Sequence, residues 1–92
     1  MQDKIKVLLV DDHKIFLDGL EELLSKDGNF RIVGKASSGR EALSLISTCN
    51  PDIVVMDISM PDINGIEATK IIVKNYPVVK VLALSMHLDK GM

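Results

Sequence analysis

Tryptophan is absent, and the aromatic side chains are limited to Phe16, Phe30 and Tyr76. Any interior this chain builds must therefore be aliphatic. The lone Cys49 excludes an internal disulfide and cannot bind a structural metal by itself. Its ordinary role is that of a small residue buried near a helix end. No apolar run approaches the roughly 18 residues that a membrane span requires, and no signal-peptide pattern opens the sequence. Both absences point to a cytoplasmic protein with no membrane contact. Neither sign of charge dominates, since 11 basic residues face 13 acidic ones. A net charge of −2 creates no field that would draw in DNA or an anionic membrane. Repeats, low-complexity tracts and linkers are also missing.

What is present is an alternation. The 92 residues suffice for one small domain with a single core. Ile5–Val10 predicts a strand that ends at Asp11-Asp12. Lys14–Lys26 predicts an amphipathic helix burying Phe16, Leu20, Leu23 and Leu24. Asp12 or His13 stands at its N-cap, and Gly28 can end it in a left-handed conformation. Phe30–Ala36 predicts the second strand. Ser38 and Glu41, three residues apart, predict a capping box for a helix that buries Ala42, Leu43, Leu45 and Ile46. After Pro51, the apolar Ile53–Met56 reads as a strand covered on both faces and ending at Asp57. A loop from Ile58 to Asn64 leads to a third helix, from Gly65 to about Tyr76. Beyond Pro77, Lys80–Leu84 predicts a fourth strand closed by Ser85. The β-α-β-α-β-α-β order predicts an α/β fold, a doubly wound parallel sheet with helices on both faces.

Three of the four predicted strands end in polar groups: Asp11-Asp12, Asp57 and Ser85. In an open parallel sheet these ends share one edge, and ligands bind there where strand order reverses. A 2-1-3-4-5 order would bring all three together from adjacent strands. Singly, each residue has an ordinary explanation. Asp12 is a helix N-cap, Asp57 a turn former, and Ser85 a strand-end loop residue. His87 and Lys90 read as exposed loop and tail. Their conjunction points to chemistry. Carboxylates gathered at one point repel one another, and a divalent cation relieves the repulsion. Mg²⁺ accepts carboxylates, waters and phosphate oxygens, whereas zinc would want a Cys or His ligand set. A carboxylate beside Mg²⁺ can take up a phosphoryl group, with the Ser85 hydroxyl bonding a phosphate oxygen.

At these positions the chain resembles the response-regulator receiver family. VLLVDDHKIFLDGL, IVVMDISMPDINGIEATK and VLALSMH are similar to its NarL/FixJ (LuxR-type) branch, and the resemblance runs from about Lys4 to His87. It implies a flavodoxin-like sheet of order 2-1-3-4 within this chain. It implies that Asp57 accepts phosphate from the phosphohistidine of a sensor histidine kinase, as a switch rather than an enzyme. Mg²⁺ would be held by Asp12, Asp57 and the backbone carbonyl of Ser59, with Asp11 acting through water. Ser85 would be the hydroxyl that moves toward the phosphate, and Pro61 and Gly65 would shape the adjoining loop. Members of this branch carry a C-terminal DNA-binding helix-turn-helix. The present sequence has none, so it is expected to make no direct contact with nucleic acid.

The family's fifth strand, its phosphate-contacting lysine and its fifth helix have no counterpart here. Lys80 stands at the wrong end of its strand, and Lys90 is too close to Ser85. Residues 1–92 are thus expected to form a single receiver domain incomplete at its C-terminus. The apolar fourth strand would then be a sheet edge, which predicts self-association along it. Three other readings compete. A non-catalytic interaction or dimerisation module would need no phosphate chemistry. A haloacid-dehalogenase-type phosphotransferase would need a second Asp two residues after the first, where Ser59 stands. A flavin-binding module suits the fold, but no Ser/Thr-rich phosphate loop follows the first strand.

Overall fold

The computed structural model describes residues 4–57 and 65–84. Its centre is β1 (Ile5–Val10), which pairs in parallel with β2 (Phe30–Ala36) on one side and β3 (Ile53–Asp57) on the other. Beyond β3 lies β4 (Lys80–Leu84), completing a four-stranded parallel sheet of order β2-β1-β3-β4. The three crossovers are α1 (Lys14–Asp27), α2 (Gly39–Cys49) and α3 (Gly65–Asn75). Parallel strands covered on both faces need apolar side chains at successive positions. Val7, Leu8, Leu9 and Val10 meet that need, and all four are buried. Leu8 and Val10 face a core shared with Ala42, Ile46, Val54, Met56, Ala68 and Ile72, under α2 and α3. Val7 and Leu9 face the opposite layer, under Leu17 of α1.

Strand bounds at β1, β2 and β4 agree with the pattern of the sequence, and β3 extends one residue further to include Asp57. α1 and α3 end at Asp27 and Asn75, each within one residue of expectation. Gly28 follows α1 at φ 86°, a left-handed position that glycine takes without a Cβ clash. Two local expectations change. Leu23 does not join the buried face of α1 and is 68% exposed. Leu17 is buried instead, with Leu20 and Leu24 packed beside it. The strip at Leu17, Leu20 and Leu24 lies on one side of the helix, and Leu23 is turned away from it. The capping box is also shifted. Ser38 Oγ accepts from the Glu41 N–H at 3.0 Å, as expected. The Glu41 carboxylate, however, accepts from the N–H and hydroxyl of Ser37, one residue before the cap.

β2 carries a bulge. Val7 pairs with Ile32, but Leu8 pairs with Gly34, so Val33 is an extra residue. The bulge brings the β2 backbone against Leu8 and α2. A Cβ on Gly34 would meet Leu8 Cδ1 at 3.0 Å and Cys49 Sγ at 3.2 Å. Cys49 is half-buried there, and its thiol donates to the Val33 carbonyl. Among the described residues, no helix is long and apolar enough to cross a membrane.

Candidate functional site

The register of the sheet brings the acidic residues together. Val10 is paired with Met56, so Asp11 and Asp57 leave adjacent strands at the same level. The Asp11 N–H donates to the Ala36 carbonyl at 3.0 Å, which carries the β1–β2 ladder one residue past the strand and fixes the Asp11 backbone. Asp57 is paired with Leu84, the last residue of β4. Asp12 and His13 form the short turn that leads into α1. One ligand atom from each of Asp11, Asp12, His13 and Asp57 lies within 4.8 Å of the others. The conjunction expected from Asp11, Asp12 and Asp57 is thus realised at the carboxyl edge of the sheet.

Burial within the cluster is uneven. Asp11 and Asp57 are 2% and 1% exposed, and they are the buried charged side chains among the described residues. The Asp12 side chain remains one-third exposed, next to solvent. Burying two carboxylates side by side costs several kcal/mol per ion unless cations or donors compensate. His13 provides part of that compensation. Its backbone N–H donates to Asp11 Oδ1 at 2.8 Å, and its ring Nδ1 meets the same oxygen at 2.7 Å. The same Nδ1 lies 3.0 Å from Asp12 Oδ1. The hydrogen bond to Asp11 holds the imidazole pKa above its ordinary 6.5, and the nearby charge of Asp12 adds to the effect.

A cleft of about 220 Å³ opens beside the cluster, at the ends of β1 and β2. Asp11, Asp12, Lys35, Ser37 and Glu41 are among the residues that line it. Lys35 Nζ donates to Glu21 at 2.7 Å and to Asp18 at 3.2 Å, tying α1 to β2. These bonds raise the Lys35 pKa, with Glu21 the larger influence, and the Lys35 bond lowers that of Asp18.

Ser59, Pro61, Ser85, His87 and Lys90 lie outside the described residues, as does the loop from Ile58 to Asn64. Gly65 opens α3. Sequence reasoning assigned His13 only to an N-cap. It does occupy that backbone position, but its side chain gives α1 no capping bond and turns to the carboxylates. The signal for a larger role was its adjacency to an acidic pair at a strand end.

Known proteins agree with this architecture. The model of the response regulator receiver domain matches residues 7–92. The chain is 40% identical over 90 residues to the transcriptional regulatory protein DegU of Brevibacillus brevis, covering 98% of this chain and 38% of that protein. It therefore spans well under half the length of that relative. The response regulator domain of Thermotoga maritima CheB superposes with a TM-score of 0.87 at 36% identity, over 97% of this chain and 66% of that one. The signal receiver domain of NarL from Mycobacterium tuberculosis gives 0.86 at 34% identity, over 98% and 72%. With its strand order, its acidic edge and this family match in agreement, the chain belongs to the response regulator receiver domain family, the receiving modules of two-component signalling.

Proposed function

We propose that Asp57 is the phosphoacceptor of this receiver and takes its phosphoryl group from a phosphohistidine of a sensor histidine kinase. The observation that carries the reading is a buried carboxylate at the end of β3, gathered with Asp11 and Asp12 at one point of the sheet edge. An Asp57 oxygen attacks phosphorus, and the P–N bond of the donor breaks. The electron pair returns to the donor imidazole, which takes up a proton from solvent. The bury-and-cluster arrangement suits this role because the β1 and β3 backbones hold the carboxylates in place before the donor arrives.

The donor set suits Mg²⁺. It is rich in carboxylate oxygen, and Asp12 faces solvent, where waters can complete an octahedron. Asp12 and Asp57 would bind the ion, with the Ser59 carbonyl as a further ligand and Asp11 acting through water. Bound Mg²⁺ would offset charge on the transferring oxygens. Ser85 would supply the hydroxyl that follows the phosphate, and Pro61 and Gly65 would shape the loop above the site. Asp57 acts here as a substrate of phosphotransfer, so the chain is a switch and not an enzyme. The reading carries with it a cytoplasmic location and no direct nucleic-acid contact by these residues. Intact-mass measurement after incubation with Mg²⁺ and a small acyl phosphate tests it. One phosphoryl adduct is expected, absent from Asp57→Asn, and no adduct on the wild-type chain would overturn it.

A second reading concerns self-association. Among the described residues β4 has a strand neighbour on one side only, and Leu82 is 55% exposed on it. An apolar strand edge of this kind invites pairing with another copy. Light scattering across a concentration series should show dimers, and a monomer at all concentrations would exclude the edge pairing.

A further inference from the structure

The ring of His13 stands where a metal ligand would stand. Its Nδ1 lies 2.7 Å from Asp11 Oδ1 and 3.0 Å from Asp12 Oδ1. Small divalent cations hold their nitrogen and oxygen ligands at about 2.1 Å. Neighbouring ligands of an octahedron are then about 3.0 Å apart, and opposite ligands about 4.2 Å. The 3.0 Å separation from Asp12 matches the neighbouring distance, and one ligand atom from each of the four residues of the cluster lies within 4.8 Å of the others. The ring is more than half exposed, so it can adjust toward an ion without repacking the core. An imidazole whose Nδ1 is occupied carries its hydrogen on Nε2. On metal binding the Nδ1 proton leaves to solvent, and a ring that was neutral takes up a proton at Nε2 in exchange.

We infer that His13 supplies a nitrogen ligand, through Nδ1, to the divalent ion held at Asp12 and Asp57. The inference rests on the reading of these carboxylates as a metal centre. Its consequence is selectivity. Mg²⁺ is a hard ion that prefers oxygen, whereas imidazole favours first-row transition ions such as Mn²⁺, Co²⁺ and Zn²⁺. Every oxygen site follows the general affinity order of these ions, so the distinguishing property is how far the preference depends on His13.

Calorimetric titration of the wild-type chain and of His13→Gln with Mg²⁺ and with Co²⁺ tests the inference. His13→Gln is expected to weaken Co²⁺ about tenfold or more while changing Mg²⁺ less than about threefold. In parallel, ¹⁵N NMR of the wild-type chain loaded with diamagnetic Zn²⁺ should show His13 Nδ1 metal-bound and its hydrogen on Nε2. An unchanged Co²⁺ to Mg²⁺ ratio, or an Nδ1 that keeps its hydrogen in the Zn²⁺ form, overturns the nitrogen ligand. Asp57→Asn, in the same titrations, separates this failure from that of the centre itself. If both ions bind in an Asp57-dependent manner and ignore His13, only the nitrogen ligand is wrong. If neither ion binds the wild-type chain, the centre is wrong and the ligand with it. Matching circular dichroism melts of the variants keep lost binding distinct from lost folding.

Discussion

His13 Nδ1 and Asp11 Oδ1 are 2.7 Å apart, and the same oxygen accepts the His13 backbone N–H at 2.8 Å. A buried carboxylate is thereby held from two directions by the residue that leads into α1. The bond to Asp11, followed by the charge of Asp12, holds the ring pKa above 6.5, and Asp57 acts in the same direction. A group whose folded pKa is raised contributes its stability in full below the unfolded value. For His13 that contribution is complete below about 6.5 and is lost as pH rises through the higher folded midpoint. NMR titration of the metal-free chain should place the midpoint above 6.5, and saturating Mg²⁺ should lower it. A midpoint at or below 6.5 that ignores Mg²⁺ would contradict the arrangement of these charges.

Gly34→Ala should destabilise the fold by about 1–3 kcal/mol, because inserting a methyl into a packed interior displaces neighbours. The methyl would meet Leu8 Cδ1 at 3.0 Å and Cys49 Sγ at 3.2 Å, and Leu8 is fully buried. Urea denaturation measures the loss, and unchanged stability would mean that the β2 bulge yields freely.

Thr69 behaves in the opposite sense. Its hydroxyl oxygen on α3 is buried and finds no hydrogen-bond partner among the described residues. A buried polar group left unsatisfied costs about 1–3 kcal/mol. Thr69→Val keeps the shape and removes the cost, so its melting temperature should equal or exceed that of the wild-type chain. A clear fall would reveal a bond from this hydroxyl.

Much of the fold was legible in the sequence because its signals are local. The run Val7–Val10 must be covered on both faces, and Gly28 and Ser38 mark a helix end and a helix start at the positions observed. The acidic site was legible for a topological reason, since strand ends in a parallel sheet share an edge. Leu23 was misread because four leucine and phenylalanine positions fit a helical stripe, and only the sheet beneath decides which of them are covered. The shift of the Glu41 bond to Ser37 depends on backbone angles that residue spacing does not specify. His13 was underread because the direction of a ring beside a carboxylate pair is a matter of three-dimensional placement.

The phosphoacceptor assignment itself is tested most directly at the level of the modified residue. After incubation with Mg²⁺ and a small acyl phosphate, borohydride reduction converts an aspartyl phosphate to homoserine, which peptide mass mapping locates. The account predicts homoserine at residue 57 alone, dependent on Mg²⁺ and absent from Asp57→Asn. Homoserine at Asp11 or Asp12, or none on a folded wild-type chain, would contradict it.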